Sequence, residues 1–260
     1  MFQAKNKIRA KLQEGKIVVG SVMYTWSPIV MELAGLAELD FMRVDNEHAW
    51  RQDSSAEHLM RAGHLAGITP IMRIDRENPY LIRKALEIGA GAVLVPDVHD
   101  AKEVEGIVKA SKFPPLGTRG YSGQNWSGGW GANAGKKWIE WSHTEPMVGV
   151  MIENTSAVKN IESIVRVDGL DFVLFGPADY AMSLGLGAPD KNHPDVQDAI
   201  KKTIAAAQKQ NVAIMLGVGK KLDEIKKYMD MGINMLELGS DISVLKGVWH
   251  NLRNNILETA

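Results

Sequence analysis

The feature that most constrains this chain is an alternation, repeated eight times, of a short apolar run with a longer segment of mixed polarity. The runs fall at 17–23, 41–46, 69–74, 92–98, 147–153, 172–177, 212–217 and 234–239. Most are nearly continuous hydrophobics, the pattern of strands covered on both faces. Between them lie amphipathic stretches such as 56–66, 81–88, 104–111, 196–210 and 222–231, which predict helices. Several stop at a glycine before the next run, Gly89 and Gly232 among them. Eight strands alternating with helices predict an α/β fold, a single parallel (β/α)8 TIM barrel spanning residues 1–260. A doubly wound open sheet is the alternative that the same alternation allows.

One stretch breaks the rhythm. Residues 114–146 read as a loop insertion rich in glycine, with Trp126, Trp130, Trp138 and Trp141 interleaved. So many tryptophans must hide apolar area, which argues against disorder. A long ordered loop in a compact domain is usually functional. Two placements follow: packing against a neighbouring subunit, or a wall over the active site.

Composition removes several function classes. The chain has no cysteine, so it has no disulfides, no thiolate nucleophile and no Cys-ligated zinc. Any metal must be held by oxygen or imidazole. A formal net charge of −1 offers no field to recruit nucleic acid or an anionic membrane. No apolar run is long enough to span a bilayer, and no apolar signal region follows the first residues, so the expected location is the cytoplasm.

In a parallel barrel the chemistry sits at the C-terminal ends of the strands. There the chain places Asp45-Asn46-Glu47-His48 after strand 2, Arg73 at the end of strand 3 and Pro96-Asp97 after strand 4. Glu153 ends strand 5, and Gly176-Pro177-Ala178-Asp179 follows strand 6. Charged groups ending apolar strands need partners or a ligand. Glu153 and Asp179 come from adjacent strands, and two close carboxylates repel unless a proton or cation lies between them. With waters and substrate oxygens they would suit Mg²⁺, Mn²⁺ or Co²⁺. Separate salt bridges or helix caps are the plainer alternative. His48 suits proton transfer, or is simply structural. Arg73 suits a carboxylate or an enolate oxygen, or an internal ion pair. His58 and His64 lie six apart on a predicted helix, which gives them different faces and a structural role. No predicted strand carries a lysine, and the nearest, Lys220, lies beyond strand 7, which disfavours Schiff-base chemistry.

These residues resemble the HpcH/HpaI aldolase (citrate lyase-like) family over nearly the whole chain. The resemblance is carried by Val44-Asp45-Asn46-Glu47-His48, Arg73, Leu94-Val95-Pro96, Phe113-Pro114-Pro115-Leu116-Gly117-Thr118-Arg119-Gly120, Ile152-Glu153 and Gly176-Pro177-Ala178-Asp179. It implies a divalent-metal-dependent aldolase that joins or separates a 2-oxo acid such as pyruvate and an aldehyde. Glu153 and Asp179 would hold the metal, which would chelate the oxo acid. Arg73 would stabilise the enolate. His48 would move the proton by way of a water, oriented by Glu87 as its partner. Backbone N–H groups around Gly176 and Ala178, on either side of Pro177, would bind the substrate carboxylate beside Asp179. The resemblance also implies a homo-oligomer, often a hexamer, with sites near subunit contacts.

The sequence departs from the family pattern at several positions, on the oxo-acid side at Met151 as well as on the acceptor side. Met151 stands where many relatives have glutamine, Asn46 replaces a glycine, and Tyr180-Ala181 replaces a frequent Leu-Ser. The residues after Arg119-Gly120 lack the arginine that some relatives use for a dicarboxylate aldehyde. The enolate half is intact and the acceptor half is altered. An oxaloacetate decarboxylase-type lyase and a non-catalytic oxo-acid-binding barrel are the competing readings.

Overall fold

Eight strands close on themselves in sequence order, every neighbouring pair parallel, in the computed structural model, which describes residues 3–49, 55–76, 78, 80–219 and 221–259. They are β1 (Val18–Met23), β2 (Phe41–Asp45), β3 (Thr69–Arg73), β4 (Ala92–Val95), β5 (Met147–Ile152), β6 (Phe172–Phe175), β7 (Ala213–Gly217) and β8 (Met235–Ser240). The closure of β8 on β1 rules out the open sheet. The helices are α1 (Lys7–Gln13), α2 (Pro28–Leu36), α3 (Ser55–Ala66), α4 (Tyr80–Glu87), α5 (Ala101–Ser111) and α6 (Lys136–Thr144). They continue with α7 (Thr155–Lys159), α8 (Ile161–Ile164), α9 (Pro177–Ser183), α10 (Pro194–Lys209), α11 (Leu222–Asp230) and α12 (Asp241–Glu258).

The strands carry two cores because successive side chains face opposite ways. Outward residues such as Met42, Val44, Met72 and Val93 pack under the helices. Helix α10 shows how a helix meets them: Val196, Ala199, Ile200, Thr203, Ile204 and Ala207 recur at helical spacing and are all buried. Inward residues Val18, Phe41, Ile71, Ala92, Leu94, Met147, Phe172, Leu174, Met215 and Met235 fill the barrel, and Ile8 of α1 plugs its N-terminal end. The large rings fit because glycine leaves room. A Cβ on Gly149 would lie 2.2 Å from Phe172 Cζ. Towards the C-terminal end the inward positions change character, to Arg43 and Asp45 on β2, Arg73 on β3 and Glu237 on β8, all buried.

Strand ends agree with the apolar runs except where the chain turns early. The run 92–98 stops pairing at Val95, because Pro96 has no N–H to donate and Asp97 takes a left-handed φ of 47°. The run 172–177 stops at Phe175, because Pro177 opens α9 as its first residue. The 114–146 stretch is less loop-like than its glycines imply, since α6 occupies Lys136–Thr144 and a short 3₁₀ turn occupies Gly129–Gly131.

Three tryptophans of that stretch, Trp126, Trp138 and Trp141, pack on their own chain. Trp126 stacks on His64 with ring centroids 4.4 Å apart, and Trp138 is fully buried with its edge on Phe113. Trp141 donates its indole N–H to the Ala4 carbonyl at 2.8 Å, whereas Trp130 is exposed. Ser127 donates its backbone N–H to the carbonyl of Glu87, the last residue of α4. The stretch is therefore fastened to the ends of α3 and α4 and to the N-terminal segment. His64 also bonds the Gly89 carbonyl at 2.7 Å, a structural role as its position predicted. Among the described residues no helix is long and apolar enough to cross a membrane.

Candidate active site

Asp45, the last residue of β2, organises the catalytic end of the barrel. It is fully buried, and its Oδ1 accepts the backbone N–H groups of Glu47 and His48, both at 3.0 Å. Those two bonds fix the turn that carries His48 to the surface. Asp45 Oδ2 accepts from Arg73 Nη2 across the neighbouring strand. Burial pushes the Asp45 carboxyl upward, but Arg73, the His48 N–H and Arg43 outweigh it and hold the group below its ordinary value.

Arg73 is buried and carries two further contacts on Nη1, to Glu47 Oε2 at 2.8 Å and to the Met151 sulfur at 3.7 Å. Its Nε–H has no partner among the described residues. Met151 thus stands directly beneath the guanidinium, with a thioether that accepts hydrogen bonds only weakly.

Glu153 follows β5 immediately. Its Oε1 accepts the backbone N–H of Asp97 at 2.7 Å. Asn154 in turn donates to Asp97 Oδ1 at 2.7 Å, and Arg76 pairs with Asp97 Oδ2 at the same distance. The left-handed backbone at Asp97 is what aims its N–H at Glu153. Burial pushes the Glu153 carboxyl up to about 7; Asp179 and Glu47 add to the rise, while the Asp97 N–H and Arg73 oppose it. Glu47 is raised too, first by burial, with Asp45 and Asp179 contributing.

Asp179 lies in the first turn of α9, exposed to solvent. Its charge there suits the positive end of that helix, although no side chain caps the α9 N-terminus with a hydrogen bond. Gly176, just before α9, leaves no room for a side chain against Glu153. Glu47, Glu153 and Asp179 therefore lie within one another's electrostatic reach beside Arg73. Among the described residues no cluster of three or more His, Asp or Glu side chains closes to metal-holding distances.

Of the residues singled out in the sequence, His48, Arg73, Glu153, Gly176, Pro177, Ala178 and Asp179 all come to this end of the barrel. Glu87 does not. In a parallel barrel the helix after β3 runs back toward the N-terminal end, and Glu87 is the last residue of α4. Its charge acts on Arg119, whose guanidinium lies 4.5 Å over the Phe113 ring and whose pKa burial lowers to about 10. His48 is paired instead with Glu47, at 3.9 Å, and its side chain is 59% exposed. Lys220 lies outside the described residues.

Three residues escape the sequence reading. Asp45 is quoted there only as part of a motif. Arg43 and Glu237 are absent from it, although a lone charge inside an apolar run was the signal that singled out Arg73. Arg43 Nε and Nη2 grip Glu237 Oε1 and Oε2 at 2.7 and 2.9 Å, and Arg43 Nη1 lies 3.5 Å from Asp45 Oδ2.

A closed parallel barrel with convergent carboxylates and an arginine at its C-terminal end has the architecture of a (β/α)8 enzyme. Comparison with known proteins makes the class specific. Residues 22–246 match the family described as HpcH/HpaI aldolase/citrate lyase, and the chain belongs to that family. It is 30% identical over 250 residues to 5-keto-4-deoxy-D-glucarate aldolase of Shigella boydii, covering 95% of each chain. An HpcH/HpaI aldolase from Desulfitobacterium hafniense superposes with a TM-score of 0.89 at 28% identity, covering 97% of both chains. The structure of the citrate synthase SbnG superposes with a TM-score of 0.88 at 26% identity, over 98% of this chain and 99% of that one. Family and relatives fit an aldolase of the class II, pyruvate-handling type.

Proposed function

We propose that the protein is a divalent-metal-dependent aldolase that makes or cleaves a carbon–carbon bond between a 2-oxo acid of the pyruvate type and an aldehyde. What supports this reading is the mutual electrostatic influence of Glu47, Glu153 and Asp179 beside Arg73, whose Nε–H has no partner among the described residues. Crowded, partly desolvated carboxylates are a cation site by their chemistry, and Gly176 leaves the Glu153 carboxylate its space. Glu153 and Asp179 would hold the cation; Mg²⁺, Mn²⁺ and Co²⁺ all suit two carboxylates completed by waters and substrate oxygens. When bound, the cation polarises the oxo acid and neutralises charge that develops on its oxygen.

The chain's own groups supply the rest. Arg73 directs its free donor at the oxo oxygen and stabilises the enolate. The amides of Ala178 and Asp179 at the start of α9 receive the substrate carboxylate, since the Gly176 N–H already donates to the Ile152 carbonyl at 3.1 Å. In the cleavage direction, His48 takes the hydroxyl proton of the aldol. The carbon–carbon bond then breaks, and its electron pair enters the enolate. A proton delivered to that carbon completes the oxo acid. Because Glu87 lies at the far end of α4, its partnership with His48 requires a Glu87 supplied by a second copy, in keeping with a homo-oligomer of hexameric type.

The test is methyl proton exchange of pyruvate in D₂O, followed by NMR on chelator-stripped protein before and after adding each metal. Exchange that needs metal and vanishes in Glu153→Gln supports the reading. No exchange with any metal would overturn it. A second reading, enolate formation by decarboxylation of oxaloacetate, would use the same Arg73, Glu153 and Asp179. Aldehyde-dependent bond formation separates the two.

A further inference from the structure

The C-terminal layer of the barrel interior is ionic. Arg43, Asp45, Arg73 and Glu237 are each at most 5% exposed, in a position where barrels ordinarily pack branched apolar side chains. Such charges are costly to bury, and breaking any pair leaves an uncompensated ion. The layer forms a chain of contacts from Glu237 on β8, past β1, through Arg43 and Asp45 on β2 to Arg73 on β3. Its spacing is uneven. The Arg43 fork is closed on Glu237 at 2.7 and 2.9 Å, while its remaining nitrogen stays 3.5 Å from Asp45 Oδ2. That oxygen is the one Arg73 uses.

Two arginines therefore compete for one buried carboxylate oxygen, and Glu237 decides the outcome by holding one of them back. We propose that Glu237 and Arg43 are positioning residues: Glu237 tethers Arg43 so that Asp45 Oδ2 stays with Arg73, which fixes the guanidinium at the reacting oxygen. The inference rests on the enolate role of Arg73 given above. Asp45 makes the effect reach further, because its other oxygen anchors the His48 turn.

The test compares Glu237→Gln with the double variant Arg43→Met/Glu237→Gln, using crystal structures and metal-dependent pyruvate methyl exchange. In Glu237→Gln the released Arg43 turns its fork on Asp45, and Arg73 loses its bond. Exchange then falls about 100-fold, the scale for a misplaced catalytic group, with metal affinity unchanged. Removing the competitor in the double variant returns Arg73 to Asp45 and brings exchange back to within about threefold of the parent. A purely structural ion pair would also recover stability in the double variant, but it would leave the Arg73–Asp45 bond in place in Glu237→Gln. The proposal is overturned if Glu237→Gln keeps both the Arg73–Asp45 bond and full exchange. It is equally overturned if the double variant is no better than the single one. Should Glu237→Gln fail to fold, the double variant carries no uncompensated charge, and Arg73 displaced from Asp45 in its crystal structure overturns the tether. Absence of exchange in the parent protein would refute the enolate reading instead, and the crystallographic comparison would still decide this one.

Discussion

Gly176 is fitted against Glu153 so closely that a Cβ on residue 176 would lie 2.7 Å from Glu153 Oε2 and 2.8 Å from its Cβ. The backbone there, at φ −98°, is one that alanine adopts freely. Gly176→Ala thus tests space alone, and we predict that it swings Glu153 away and weakens metal binding by about tenfold or more. Calorimetric titration with Mn²⁺, alongside an unchanged circular dichroism spectrum, measures this. Unaltered affinity would remove Glu153 from the ligand set.

Glu153, raised to about 7, gives the site a pH dependence. A proton competes with the cation, so metal affinity should fall about tenfold for each pH unit below that value and level off above it. Stability of the metal-free protein runs the other way. The folded state holds the proton more tightly than the unfolded chain, whose value is 4.5, so this contribution is complete below 4.5 and is lost as pH rises through about 7. Denaturant unfolding of metal-free protein across that window should show the decline, and Glu153→Gln should flatten it.

Arg73 pairs with Asp45 and Glu47 at once, which a lysine could not reproduce with its single ammonium group. Arg73→Lys keeps the charge that lowers Glu153, so metal should still bind. Turnover should nevertheless drop about 100-fold or more, because the fork no longer holds the oxo oxygen. Steady-state kinetics with metal titrations distinguish the two effects; a variant that turns over normally would disprove the oxyanion role.

Trp126 is 7% exposed and rests on His64, with Gly89 passing beneath its ring. Trp126→Ala should destabilise the fold by about 3–5 kcal/mol, the range for deleting a buried tryptophan. The loss should appear in denaturant melts of the metal-free protein. A cost within about 0.5 kcal/mol would mean that the ring is not the anchor of this segment.

How far the sequence speaks depends on the range of the interaction. Runs such as Val148–Val150 and Phe172–Phe175 announce buried strands because each residue's environment follows from its neighbours in the chain. Glu153 and Asp179 are legible because parallel topology sends strand ends to one face. Arg43 and Glu237 stand 194 residues apart and meet only because β8 closes on β1. Their pairing is a property of the closed barrel, invisible to any local window. Glu87 is the converse case: the motif names it, but helix direction carries it away from His48 within one chain. The 114–146 stretch conceals α6 because glycines dominate the approach to it, while Trp138 and Ser142, one helical turn apart, both point inward.

The fastening of that stretch has an evolutionary consequence. It is stapled to His64, Glu87 and Ala4, on elements that carry neither Glu153 nor Arg73. Segments with such moorings can be exchanged between relatives as cassettes. Because those moorings lie away from the barrel end that carries Glu153 and Arg73, the stretch can change in a descendant while the enolate chemistry is inherited unaltered.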